Sequence, residues 1–280
     1  MTRFLLLTLA LTAVGCATLP AAKVAPVLAQ RVAPAAPLSR RAMVKQILPH
    51  NVRVYVMEGK TARRSASGVV VGTEATSTGA VTFILTNAHV VDASGLIDPR
   101  LNVVVEQGPD TADYLGEPVA MGTVPQMDLA LIRVPGLSLA AAPLASDEEV
   151  ELGDDVVVVG APFGKPLSIS GGMVSQVEWD RSTRSPRMLK TDAPIGYGAS
   201  GGGVYSLTTG KLLAIVEGYR TAKIGFAVAQ QDYSFDVPMP GETFAAPTAK
   251  VREFLSTNGF GRFLGAPVGA AGPDSRAALR

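Results

Sequence analysis

Apolar residues along most of this chain either alternate with polar ones or run in short blocks. Val52, Val54 and Val56 alternate with Arg53, Tyr55 and Met57, the pattern of a strand with one buried face. Short apolar runs follow near residues 68–71, 81–85, 101–105, 129–134, 156–159, 167–177, 212–216 and 224–228, spaced by Gly, Pro, Asp and Ser. Many short strands so punctuated predict an all-β fold of antiparallel barrels or sandwiches. Helical spacing is found in two places. One holds Ala42, Val44, Ile47 and Leu48 ahead of Pro49; the other follows Pro247, where Thr248 is a candidate cap for the face of Val251, Phe254 and Leu255. No repeat of fixed period is visible.

The first residues follow a different logic. Arg3 precedes the apolar run from Phe4 to Leu11, which is too short to span a bilayer and ends in small residues, so residues 1–15 read as a signal peptide. Cys16 is the only cysteine of the 280 residues, which rules out an intramolecular disulfide. The segment Ala13-Val14-Gly15-Cys16 resembles a bacterial lipobox, which implies lipidation of Cys16 after cleavage. Ala17 in place of aspartate implies sorting to the outer membrane. Residues 16–38 are rich in Ala, Pro and Val and read as a semi-stiff tether.

Composition narrows the function classes. The 25 basic and 24 acidic side chains nearly cancel, so no nucleic-acid surface is expected. With two histidines, His50 and His89, imidazole-rich zinc sites are out of reach, and no metal or cofactor is expected.

Three segments carry candidate chemistry. His89 ends the strand-like ILTNAHVV of residues 84–91, Asp128 enters the apolar MDLALI of 127–132, and Ser200 lies in GASGGG, residues 198–203. Each has an ordinary reading by itself: a strand-end histidine, a turn aspartate, a glycine-rich loop. Their order His, Asp, Ser is that of a nucleophilic triad. A serine needs an imidazole to take its proton, and a carboxylate on the other ring nitrogen fixes the tautomer. Glycines beside the serine let the amides of Gly198 and Ser200 converge as an oxyanion hole. His50, between Pro49 and Asn51, reads as structural, and Asp154, Asp155 and Asp192 are the competing acids.

The segment TDAPIGYGASGG, residues 191–202, resembles the nucleophile loop of HtrA/Deg-type trypsin-like serine endopeptidases. LGD at 152–154, GAPFG at 160–164 and GGMVS at 171–175 resemble further segments of that family, and the resemblance runs from about residue 40 to 256. It implies two antiparallel six-stranded β-barrels with short flanking helices: a protease domain over 39–262, with barrels at about 50–140 and 150–245, and a flexible tail at 263–280. It implies His89, Asp128 and Ser200 as catalytic residues, Asp192 and Asp154 as loop and turn residues, and Ile195, Val216, Glu217 and Gly218 as substrate-binding. Pro194 stands where digestive relatives carry a specificity-setting acid, so cleavage after small aliphatic residues is expected rather than after Lys or Arg. Gly196, Tyr197, Ala199 and Gly203 depart from the family text. Ala199 removes the carboxylate that chymotrypsin-type zymogens use on activation. The 24 residues beyond 256 are too few for a PDZ domain, so a chain without one is expected. Polypeptide substrates, a membrane contact through the lipid and, from relatives that are commonly trimers, a homo-oligomer are the implied partners. The implied function is an exported envelope endopeptidase; the alternative is a catalytically silent peptide-binding adaptor on the same fold.

Overall fold

The computed structural model describes residues 38–228 and 231–264; the signal peptide, Cys16 and most of the tether lie outside them. Twelve strands form two closed antiparallel barrels. The first contains β1 (Asn51–Glu58), β2 (Thr61–Thr76), β3 (Gly79–Thr86), β4 (Pro99–Gln107), β5 (Asp110–Met121) and β6 (Ala130–Pro135), joined in the order β1-β2-β3-β6-β5-β4. The second contains β7 (Asp155–Gly160), β8 (Ser168–Trp179), β9 (Pro186–Thr191), β10 (Gly203–Ser206), β11 (Leu212–Val228) and β12 (Gln231–Pro247), in the order β10-β11-β12-β9-β8-β7. Closure removes the sheet edges that open sheets must protect. Helices α1 (Arg40–Ile47), α2 (Ala88–Val91) and α3 (Thr248–Thr257) complete the fold.

Three apolar clusters follow from the period-two pattern. Val52, Val54 and Val56 join Ile84, Val103 and Ile132 inside the first barrel. Val156, Val158, Leu189 and Leu213 fill the second. The unbroken valine run of β7 is explained by the third cluster, in the seam between barrels, where Val157 and Val159 meet Leu85, Leu131 and Ile215. A strand at the seam is buried on both faces and so loses its alternation. Helices α1 and α3 close the seam with Met43, Ile47, Val251, Phe254 and Leu255, each side chain contributing on the order of 2 kcal/mol by burial. The wholly buried Tyr205 of β10 ties the barrels together, its hydroxyl donating to Asn51 Oδ1 at 3.1 Å. Burial holds that phenol far above the ordinary tyrosine range.

The residue pattern foretold helices α1 and α3 and most strands, but not the single turn of α2. It did not single out β5, β9, β10 or β12: β5 is exposed or half-buried along its length, and β12 contains Pro238, Pro240 and Gly241. The expected domain end at residue 262 falls inside a short 3-10 turn, Gly261–Leu264. Phe263 packs on Phe83 with ring centroids 4.7 Å apart, and Arg262 lies 4.6 Å over the Phe263 ring. A Cβ on Gly72 would come within 2.3 Å of the Phe263 ring, so this turn is part of the fold rather than of a tail.

Candidate functional site

The two barrels meet where Asn87, the α2 turn and the loop before β10 converge. Asp128, on the approach to β6, is nearly buried at 8% exposure. Its Oδ2 lies 2.6 Å from His89 Nδ1 and its Oδ1 accepts the His89 backbone N–H at 2.9 Å. One carboxylate thus fixes both the position and the ring of His89. Because a carboxylate only accepts, Nδ1 carries the proton and Nε2 of the neutral ring keeps a lone pair. Asn87 Nδ2 donates to the Asp128 carbonyl at 2.7 Å, and Arg64 Nη1 reaches the His89 carbonyl at 3.1 Å. Neither Asn87 nor Arg64 stands out in the sequence, because their roles are contacts to main chain.

Ser200 sits on a turn built from glycines in the left-handed region, Gly198 at φ 90° and Gly201 at φ 81°. A Cβ at Gly201 would approach the Ser67 carbonyl to 2.2 Å and Thr86 Oγ1 to 2.3 Å. Only glycine fits both the dihedral and the space. The Ser200 hydroxyl donates to the Glu217 carbonyl at 3.3 Å, and no hydrogen bond from it to His89 exists among the described residues. Glu217 also lies close enough to the pair for Asp128 and His89 to influence its carboxyl.

Peptide geometry orients the amides of the candidate oxyanion donors. Phe163, itself left-handed at φ 56°, donates its N–H to the Tyr197 carbonyl at 2.5 Å. In the trans peptide that follows, the N–H of Gly198 must point the opposite way. The Ala199 N–H is taken up by the Gly196 carbonyl at 3.0 Å. Among the described residues, the amides of Gly198 and Ser200 have no backbone acceptor. Ser67 of β2 holds this loop from the other barrel. Its Oγ donates to the Gly198 carbonyl and accepts the Ala161 N–H, both at 2.8 Å, and its own N–H bonds the Ser200 carbonyl at 2.8 Å.

The pocket side holds one correction. Val216 is completely buried in the second barrel, and its N–H and carbonyl bond to Gly202 and Gly201. Its side chain therefore faces the core and does not line a cleft. Phe244, which the sequence did not single out, pairs with Gly218 across β11 and β12, and a Cβ on Gly218 would lie 3.2 Å from its ring. Ile195 is half-buried against the same barrel core. The Glu217 carboxylate turns inward to Lys250 of α3, with Oε1 and Nζ 3.5 Å apart. Burial raises its pKa and Lys250 pulls the other way. Exposed Tyr197 stands edge-on to Tyr219 at 5.7 Å, and burial pushes the Tyr219 phenol up to about 12.

The other candidates sit away from the pair. His50 Nδ1 contacts the Ala140 carbonyl at 2.8 Å, Asp192 accepts the Met173 N–H, and Asp154 accepts the Glu151 N–H. Gly203 has a steric reason: a Cβ there would come within 2.3 Å of the Tyr205 ring, which the proline of the family text could not avoid. Among the described residues no group of three or more His, Cys, Asp and Glu is placed to hold a metal, and no helix is long and apolar enough to cross a membrane.

Residues 66–215 match the family described as the trypsin-like peptidase domain, a span that holds His89, Asp128 and Ser200. The chain belongs to this family. It is 32% identical over 206 residues to the magnetosome formation protease MamE of Magnetospirillum gryphiswaldense, covering 68% of this chain and 25% of that one. It is 31% identical over 159 residues to a probable periplasmic serine endoprotease, DegP-like, of Marinomonas sp., covering 56% and 30%. The chain thus spans between a quarter and a third of the length of these relatives. Among solved structures, the serine endoprotease from Yersinia pestis superposes with a TM-score of 0.57 at 23% identity, covering 80% of this chain and 67% of that one. The HtrA-type protease AlgW with a tripeptide gives 0.59 at 22%, covering 79% and 63%. These likenesses concern the fold: a trypsin-like double barrel of the HtrA type.

Proposed function

We propose that this trypsin-like chain is a serine endopeptidase acting through His89, Asp128 and Ser200. The observation that carries the reading is the Asp128 carboxylate, which accepts both the ring and backbone N–H of His89 and leaves Nε2 as the base. A change of Ser200 χ1, a rotation between staggered wells, frees the hydroxyl from the Glu217 carbonyl for that base. Nε2 takes the proton as Oγ attacks the scissile carbonyl, the amides of Gly198 and Ser200 receive the oxyanion, and His89 returns the proton to the leaving amine. Water then hydrolyses the acyl-enzyme by the same route. On this reading Phe244, packed against Gly218, and Ile195, at the margin of the second-barrel core, restrict the primary site to small aliphatic side chains.

Substrates on this reading are unfolded or exposed proteins of the cell envelope, in keeping with the periplasmic relatives, and a lipid on Cys16 would anchor the enzyme to the outer membrane. Mass spectrometry of the mature N-terminus tests the anchor: an unmodified Cys16, or cleavage that removes it, overturns it. A second reading, a silent peptide-binding adaptor, draws on the engagement of Ser200 Oγ by Glu217. Fluorophosphonate labelling and casein digestion, with Ser200→Ala as control, separate the two. Labelling and digestion that vanish in the variant support the endopeptidase; a folded wild-type protein that does neither supports the adaptor.

A further inference from the structure

Beyond the barrel, β11 and β12 continue together as a free hairpin. Tyr219 pairs with Thr243, but the next pair joins Thr221 to Pro238, so residues 239–242 bulge out, with Gly241 at φ 75°. From there to Val228 and Gln231 the two strands, among the described residues, pair only with each other. The cross-strand pairs Ile224–Phe235 and Phe226–Tyr233 alternate with Lys223–Asp236, Gly225–Ser234 and Ala227–Asp232. With a period of two, Ile224, Phe226, Tyr233 and Phe235 share one face and the charged or small residues share the other. All four are exposed, at 46% to 51%. Phe226 stacks on Tyr233 at 5.6 Å and meets Phe235 edge-on at 6.1 Å. Stacking orders this face without covering it.

We infer that this aromatic face docks extended apolar segments of unfolded polypeptide that run on from the residues held in the primary pocket. The inference rests on the endopeptidase reading and extends it to the length and character of the substrate. Position argues for it: the hairpin grows from the same strands that set Gly218 over Phe244. Edge geometry argues for it too. Strand β11 pairs with β10 only as far as Ile215, so among the described residues one edge of β11 has no ladder partner from Glu217 outward. A strand added there would place every second side chain on the aromatic face. From Gly218 to Phe226 is eight residues, about 26 Å along a strand, beyond the reach of a tripeptide.

Other occupants fit less well. Lys223, Asp232 and Asp236 give the reverse face a net negative charge, whereas anionic lipid attracts a cationic one. The four side chains, about half exposed, offer roughly 400 Å², half of the ~800 Å² per partner buried in a specific protein pair.

The test compares the full chain with Phe226→Ser/Phe235→Ser and with Ile224→Lys on two substrates: fluorescein-labelled casein and a tripeptide anilide with valine before the scissile bond. We expect kcat/KM on casein to fall about tenfold or more, while the anilide, too short to touch the hairpin, keeps its rate. Binding of casein to Ser200→Ala, read by fluorescence anisotropy, should weaken by a similar factor when the hairpin substitutions are added. Unchanged casein hydrolysis and binding overturn the inference. So does a lower oligomeric state of the variants in sedimentation, which would assign the face to a second copy. If the wild type cleaves neither substrate, the endopeptidase reading fails, and the anisotropy comparison still decides the docking face.

Discussion

Ser67→Ala tests whether the first barrel holds the nucleophile loop of the second in working geometry. Ser67 is wholly buried, and its Oγ bonds the Ala161 N–H and the Gly198 carbonyl, each at 2.8 Å. Ala161 is equally buried, so its N–H loses its partner in a site closed to solvent, at about 1–3 kcal/mol. Gly198 is only partly buried, and the loss of one donor to its carbonyl adds less. The sum, about 2–3 kcal/mol, corresponds to a fall in Tm of roughly 4–12 °C for a domain of this size. The carbonyl that Ser67 holds belongs to the residue whose amide is the proposed oxyanion donor, and removing one such donor outright costs on the order of 10²–10³ in kcat. A displaced donor should cost less, about 10- to 100-fold, with KM little changed because the donor acts in the transition state. The assays are thermal unfolding by circular dichroism, peptide hydrolysis kinetics and the rate of fluorophosphonate labelling. A lower Tm with unchanged kcat would reduce Ser67 to a seam contact; no change in either would refute the reasoning.

Asp128→Asn should lower kcat on the order of 10⁴ while leaving the fold intact; a loss under tenfold by active-site titration would contradict the assigned tautomer. Gly201→Ala, with its Cβ forced onto the Ser67 carbonyl, should cost at least about 3 kcal/mol, or roughly 6 °C or more in Tm; a wild-type melting curve would show that the turn can yield. Phe244→Ala should enlarge the pocket and raise the ratio of kcat/KM for phenylalanine over valine before the scissile bond by about tenfold, and a flat profile would remove Phe244 from the pocket. Hydrogen bonds from the Ser182 hydroxyl and from the Thr183 and Ser182 amides hold Asp180 at about 2, below its ordinary 3.8. A depressed carboxylate contributes stability above the unfolded value and loses it as pH falls through the folded one. The gap in urea midpoint between wild type and Asp180→Asn should therefore close between about pH 4 and pH 2; a constant gap would contradict the assignment.

The barrels and the candidate triad were legible because each leaves a local trace. Alternating valines mark strands buried on one face, and His89, Asp128 and Ser200 stand in an order that few other arrangements share. The exposed β5 and proline-bearing β12 left no such trace, since strand pairing there rests on backbone bonds that side chains do not advertise. Val216 looked like a pocket wall and is a core residue, because the bulge at Glu217 decides which side chain faces in. Phe244, Ser67 and Arg64 were invisible for a shared reason: each acts on residues distant in sequence, through contacts that exist only once two strands or two barrels meet. By itself, the sequence determined the periodicity, the glycines that a left-handed turn requires and the chemical types of the reacting groups. Tertiary structure alone decided which carbonyl each donor meets, which ring Gly218 packs on and which hairpin face is left uncovered, because those depend on register and packing between segments far apart in the chain.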